Sequence, residues 1–183
     1  MIFLFAVLAG IVAGYVLGGR IANLASLRLR WFWLVLLGLI LQLLIFPLIS
    51  SRPLLPYATV PLHVLSYVLV FVFLAANLRV RPLLVLASGA LINFAAIAAN
   101  GGRMPASATA LARAGLIQTA KRLTSSGTHG NVLLMGKNTR LDLLGDWLYL
   151  PRWIPFATAF SIGDALIMIG LAWLIVRGMR KRA

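Results

Sequence analysis

Long apolar runs dominate the chain, and short clusters of arginine, glycine and proline separate them. Runs at 2–19, 31–49, 60–78, 82–99 and 157–176 carry at most isolated polar side chains. A helix crosses a bilayer core with about 17–25 apolar residues. The pattern therefore predicts an all-α integral membrane protein with about five transmembrane helices, their ends set only to within roughly 2–4 residues. Residues 100–156 break the pattern and are expected as one long external segment, leaving 1–183 as a single membrane domain. Within that segment 106–123 has helical composition, 124–131 (TSSGTHGN) reads as a loop, and 146–156 reads as an irregular stretch along the membrane surface. Pro151 and Pro155 keep that stretch from forming a regular element. No basic residue precedes the first run and no cleavage site follows it, so it is expected to stay in place as a span.

Composition strengthens this picture. Hydrophobic residues make up 62% of the 183 and charged ones 11%. Soluble domains average about 25% charged residues, so an aqueous globule is excluded. Lys plus Arg number 17 against 3 acids, a formal charge of +14. The loops explain much of the excess. Arg20, Arg28 and Arg30, then Arg79 and Arg81, then Arg177, Arg180, Lys181 and Arg182 fall on alternate loops, with only Arg52 in the short loop opposite. Positive-inside bias then puts the N-terminus outside and the C-terminus in the cytoplasm of a multi-pass cell-membrane protein. Basic residues that anchor topology argue against nucleic-acid binding. The expected partners are membrane lipids. Aromatic residues fit the same orientation: Trp31 and Trp33 open the second span, and Trp147, Tyr149, Trp153 and Phe156 precede the last. The chain has no cysteine, which removes disulfides and thiolate chemistry. Two histidines and three aspartates have no metal-ligand spacing, so neither metal nor cofactor is expected.

Polar groups at membrane depth need a reason. Gln42, His63, Ser66, Ser88, Asn93, Asn100 and Asp164 are the cases. For each uncharged one the simpler reading is a hydrogen bond between helices. Ala6, Gly10, Gly14 and Gly18, spaced by four, read as a helix-packing face. Asp142 reads as the partner of Arg140 or Arg152 in a surface ion pair. Asp164 is the sole acid in an apolar run, within Ser161-Ile162-Gly163-Asp164. Ser161 and Asp164 have the spacing of a capping box, a structural role in its own right. Paired with Asp146, however, Asp164 would have chemical meaning. Two carboxyls within hydrogen-bond reach share a proton, and such a pair can act as acid and base on a water attacking an amide.

Two resemblances follow from the motifs. Asn100-Gly101-Gly102-Arg103-Met104-Pro105, Asn138-Thr139, Leu144-Gly145-Asp146 and Ser161-Ile162-Gly163-Asp164 together resemble an uncharacterised family of small bacterial membrane proteins, which implies a multi-span fold. Over about the last 40 residues, Gly145-Asp146-Trp147, an aromatic and proline-containing stretch, and Phe160-Ser161-Ile162-Gly163-Asp164 are similar to the end of lipoprotein signal peptidase (signal peptidase II). That resemblance implies catalytic roles for Asp146 and Asp164. The chain departs from that pattern in carrying Ser161 for an asparagine and Gly163 for an alanine, and in lacking the Asn-x-x-Asp-Arg motif.

The expectation is thus a candidate aspartic membrane peptidase working at the outer face on a peptide or lipid-linked substrate. Asp146 and Asp164 are its catalytic pair, and Asn93, Asn100 and Ser161 contact substrate. A non-catalytic binder or transporter of a small solute, lipid or ion, with Asp164, Asn93, Gln42 and His63 lining its cavity, stays open. So does an accessory membrane subunit.

Overall fold

The structure, a computed structural model, describes residues 2–45 and 59–180. The end of the second apolar run, 46–49, and the loop with Arg52 lie outside the described residues. In chain order the elements are α1 (Phe3–Val16), α2 (Trp33–Ile45), α3 (Thr59–Ala76), α4 (Arg81–Ala99), β1 (Met104–Ala106), α5 (Ala108–Arg113), α6 (Ile117–Ser126), β2 (Thr128–His129), β3 (Val132–Leu134), β4 (Leu148–Tyr149), β5 (Ala159–Phe160) and α7 (Ile162–Arg180).

The protein is mostly helical. Helices α3, α4 and α7, of 18, 19 and 19 residues, are long and apolar enough to cross a membrane. At 1.5 Å per residue α7 is about 28 Å long, close to a bilayer core of roughly 30 Å. Helices α1 and α2 are apolar but shorter, at 14 and 13 residues. The expected last span, 157–176, is displaced toward the C-terminus. Residues 159–160 are spent on β5, and α7 continues to Arg180. Arg177 and Arg180 fall in its last turn, where the helix dipole favours cations.

Small residues point inward and large apolar ones outward, the arrangement expected when the solvent is lipid. On α1, Ala6, Gly10 and Gly14 are buried while Leu4, Leu8 and Val12 are exposed. A methyl group at Gly10 would sit 3.0 Å from the Ala172 backbone, so this stripe packs on α7. Gly18 falls outside the stripe, in a left-handed turn after the helix. Helix α7 lies equally close to α4. A methyl at Gly170 would come within 2.7 Å of the Leu86 nitrogen and 2.9 Å of the Pro82 carbonyl. Between the helices Leu34, Phe73, Leu74, Leu83, Ala90 and Leu174 form a buried cluster.

Seven arginines gather at one end of the bundle. Arg20 N donates to the Met179 carbonyl (2.9 Å), and the Asn77 amide grips both backbone groups of Arg30 (2.9 and 2.8 Å). These contacts bring Arg28, Arg79, Arg81, Arg177 and Arg180 to the same end by chain proximity.

At the opposite end 100–161 folds into a small α/β unit, which corrects the all-α expectation. Parallel β1 and β3 pair Met104 with Val132, and β2 adds antiparallel to β3. Helices α5 and α6 cover this sheet through Ala110, Leu111, Ala120 and Leu123. The helix expected over 106–123 is split by Gly115, whose φ of +87° breaks the turn. The loop expected over 124–131 is instead the end of α6, a left-handed Gly127 cap, and β2. Strands of two or three residues are too short for alternation to mark them.

Candidate functional site

Asp146 is held by its backbone as an extra residue on the edge of β1. Its N–H donates to the Pro105 carbonyl (2.8 Å), and its carbonyl accepts from Ser107 N (2.9 Å). Gly145 permits this approach, since a methyl there would meet the Pro105 carbonyl at 2.5 Å and the Met135 methyl at 2.9 Å. The chain then enters β4, which pairs antiparallel with β5, Leu148 opposite Phe160. Asp146 lies two residues before β4, and α7 with Asp164 in its first turn begins two residues after Phe160, so the hairpin links the two acid-bearing segments.

Asp164 occupies the first turn of α7 in a closed set of hydrogen bonds. Ser161 N donates to its Oδ2 (3.1 Å), and its own N–H donates to Ser161 Oγ (2.9 Å). This reciprocal pair is the capping box anticipated from the spacing. Asn93 on α4 completes it: Nδ2 donates to Asp164 Oδ1 (2.8 Å), and Oδ1 accepts from Ser161 Oγ (2.7 Å). Asn93 and Ser161 are both buried. A methyl at Gly163 would collide with the Asn93 amide oxygen, so glycine is what admits the asparagine to the turn.

The two acids differ sharply in their partners. Oδ1 of Asp146 is buried and has no hydrogen-bond partner among the described residues. Burial first, and then the negative charge of Asp164, push the Asp146 carboxyl up to about 8. Burial is the larger of the two effects, and both favour the protonated form of Asp146. Asp142, in a short 3-10 turn (Asp142–Leu144), also leaves a buried oxygen without a partner. The ion pair expected with Arg140 or Arg152 is not formed among the described residues.

The other singled-out residues separate into clusters. Gln42 donates to Ser66 Oγ (3.1 Å), joining α2 to α3 as an interhelical hydrogen bond. Asn100 ends α4 and engages both backbone groups of Arg140, donating to its carbonyl (2.7 Å) and accepting its N–H (2.8 Å). It thereby anchors the strand of chain that leads to Asp142 and Asp146. His63 packs against Tyr67 with ring centroids 5.4 Å apart and hydrogen-bonds the Gly102 backbone. Tyr67, which the apolar pattern does not single out, has its ring packed against His63, Phe71 and Phe94. The four-residue spacing of His63, Tyr67 and Phe71 was the available signal. Trp153 and Phe156, at the tip of the β4–β5 hairpin, are among the most exposed large side chains outside the helices.

The model of a family of unknown function, DUF5317, matches residues 26–176, and the chain belongs to that family. No curated protein and no solved structure matches it.

Proposed function

We propose that this member of a family of unknown function is a membrane aspartic hydrolase, peptidase-like, with Asp146 and Asp164 as its acid–base pair. The observation that carries the reading is the unpartnered, buried Asp146 carboxyl oxygen, together with an Asp164 whose two oxygens are both engaged. In the proposed step Asp164 takes a proton from a water molecule as the water oxygen attacks an amide carbon. Protonated Asp146 gives its proton to the carbonyl oxygen. On collapse of the tetrahedral species the amine leaves with the proton held by Asp164, and Asp146 recovers its own. Asn93 and Ser161 orient Asp164, and Asn100 sets the approach to Asp146. The resemblance to signal peptidase II supports the same assignment of the two aspartates.

The reading places the protein in the cell membrane with five spans, α1 and α2 included, the N-terminus outside and the α/β unit at the outer face. The cluster of arginines at the far end supports that orientation through the positive-inside bias. Exposed Trp153 and Phe156 suit the lipid–water boundary. The substrate class is a peptide, free or lipid-linked, reached from the outer leaflet.

The test uses the full chain in liposomes with a library of plain and lipid-modified peptides, and mass spectrometry to find new termini. Cleavage should vanish in Asp146→Asn and Asp164→Asn while both variants stay folded. A stable, active Asp164→Asn variant overturns the proposal. One observation favours a second reading: the capping box and Asn93 account for Asp164 without chemistry. A non-catalytic binder or transporter of a small solute, lipid or ion, or an accessory membrane subunit, would tolerate both substitutions.

A further inference from the structure

The turn between α5 and α6 and the tip of the β4–β5 hairpin enclose an open cleft of about 540 Å³. Ala112, Leu116 and Ile117 form one wall, and Ile154, Phe156 and Ala157 the other. Of the described residues that line it, Arg152 is the only charged one. Gly115 admits Arg152 to the turn, since a methyl there would stand 3.1 Å from the Arg152 Cβ. The neighbouring Arg113 guanidinium lies over the Tyr149 ring of β4, 5.6 Å from its centroid, and so ties the hairpin to α5. Two turns order the tip: Ile154 N donates to the Pro151 carbonyl (2.9 Å) and Ala157 N to the Ile154 carbonyl (3.2 Å). Phe156 holds a left-handed φ of +58°, a costly conformation for a bulky residue, and its ring is 53% exposed. The Arg152 side chain, unlike that of Arg113, has no hydrogen-bond, ion-pair or ring partner among the described residues.

Charge indicates the occupant. The α/β unit carries Arg103, Arg113, Lys121, Arg122, Lys137, Arg140 and Arg152 against Asp142 and Asp146. This excess lies at the end opposite the arginine cluster, so the positive-inside bias does not account for it. Lys121 is exposed and follows Ile117 by four residues on α6, which puts both on one helix face. An unpaired guanidinium set between apolar walls suits an amphiphile with an anionic head. The planar fork of arginine matches phosphate oxygens, and the apolar walls match the carbons that follow. We propose that this cleft docks the headgroup of an anionic phospholipid, with Arg152 pairing with its phosphodiester and Ile117 and Phe156 flanking the first carbons of its chains. A zwitterionic head fits less well, because its ammonium would meet the positive field of the same face. The inference rests on the placement of the α/β unit at a membrane surface and is independent of the aspartate pair.

The experiment places the full-length chain in liposomes that contain a trace of phosphatidylglycerol or phosphatidylcholine with a diazirine near the head end of one acyl chain. Mass spectrometry then maps where each lipid attaches. Phosphatidylglycerol should label 112–117 and 152–157 about tenfold more than phosphatidylcholine, the preference that one charge-assisted contact supplies. Arg152→Gln should abolish that preference. Arg152→Lys keeps the charge without the fork, should retain part of the preference, and serves if Arg152→Gln fails to fold. Ala157→Leu takes up cleft volume and spares Arg152, so it should lower labelling by both lipids. Arg177→Gln, at the far end of α7, should leave labelling of the cleft unchanged. Equal labelling by the two lipids, or a preference that survives Arg152→Gln, overturns the proposal. Suppression of the labelling by inorganic phosphate would assign the cleft to a free anion and overturn it as well. Asp146→Asn should leave the labelling intact. A lipid preference in a protein that cleaves no peptide therefore supports this site and defeats the hydrolase reading, whereas cleavage without the preference does the reverse.

Discussion

Replacing Asp146 by asparagine keeps its shape and removes its ionisation, which makes the energetic cost of that buried carboxyl measurable. The sign follows from proton linkage. The group titrates near 3.8 when unfolded and is pushed up to about 8 when folded. Between those values the folded state holds the proton and the unfolded state does not. Native stability should therefore fall as pH rises from about 4 to 8. Each pH unit corresponds to about 1.36 kcal/mol, giving a ceiling of about 6 kcal/mol. Local relaxation and the high effective dielectric found even at buried sites reduce this to an expected 2–4 kcal/mol, an order-of-magnitude figure. The asparagine variant lacks this dependence. Tryptophan-monitored melting in detergent should place the two proteins close together near pH 4. The variant should melt roughly 5–15 °C higher at pH 9, taking about 2–4 °C per kcal/mol for a chain of this size. Parallel melting curves across pH 4–9 would refute the view that Asp146 carries a proton in the native state.

Three further outcomes test the surrounding structure. Gly170→Val should separate α7 from α4, because its branched side chain would press on the Leu86 nitrogen and the Pro82 carbonyl; a loss of about 1–3 kcal/mol is expected, read as a lower melting temperature or lost expression. Ser161→Ala removes the acceptor for Asp164 N and the donor to Asn93, so it should cost about 0.5–2 kcal/mol by thermal unfolding and speed hydrogen exchange at the start of α7. Asn100→Ala frees the backbone of Arg140. Its mark should be faster proteolysis between 136 and 146, with the spans still intact by helical circular dichroism.

Much of the helical part was legible in the residues because a helix long and apolar enough to cross a bilayer meets a one-dimensional requirement. Backbone groups must pair within the segment, and the side chains facing lipid must be apolar. That requirement is local, so uninterrupted apolar runs located α3 and α4 to within one or two residues, and the stripe of Ala6, Gly10 and Gly14 marked a packing face before its partner was known. The start of α7 was misplaced for a related reason. Residues 157–161 are apolar enough to extend a span, but β4 claims Ala159 and Phe160 as strand partners, and composition does not register a competing hydrogen-bond partner.

The α/β unit and the site depend on partners far apart in the chain. Met104 meets Val132, Asp146 lies on the edge of β1, and Asn93 reaches Asp164 across 71 residues. Nothing in the local pattern at either end of those pairs specifies the other. From the residues alone, Ser161 and Asp164 had capping-box spacing and the three acids stood out by scarcity. Folding supplied the rest: the β4–β5 hairpin joined the segment that ends at Asp146 to the one that leads into Asp164, and burial left an Asp146 carboxyl oxygen without a hydrogen-bond partner among the described residues. Those are consequences of three-dimensional packing, where burial and proximity are decided jointly by segments that do not neighbour one another in sequence.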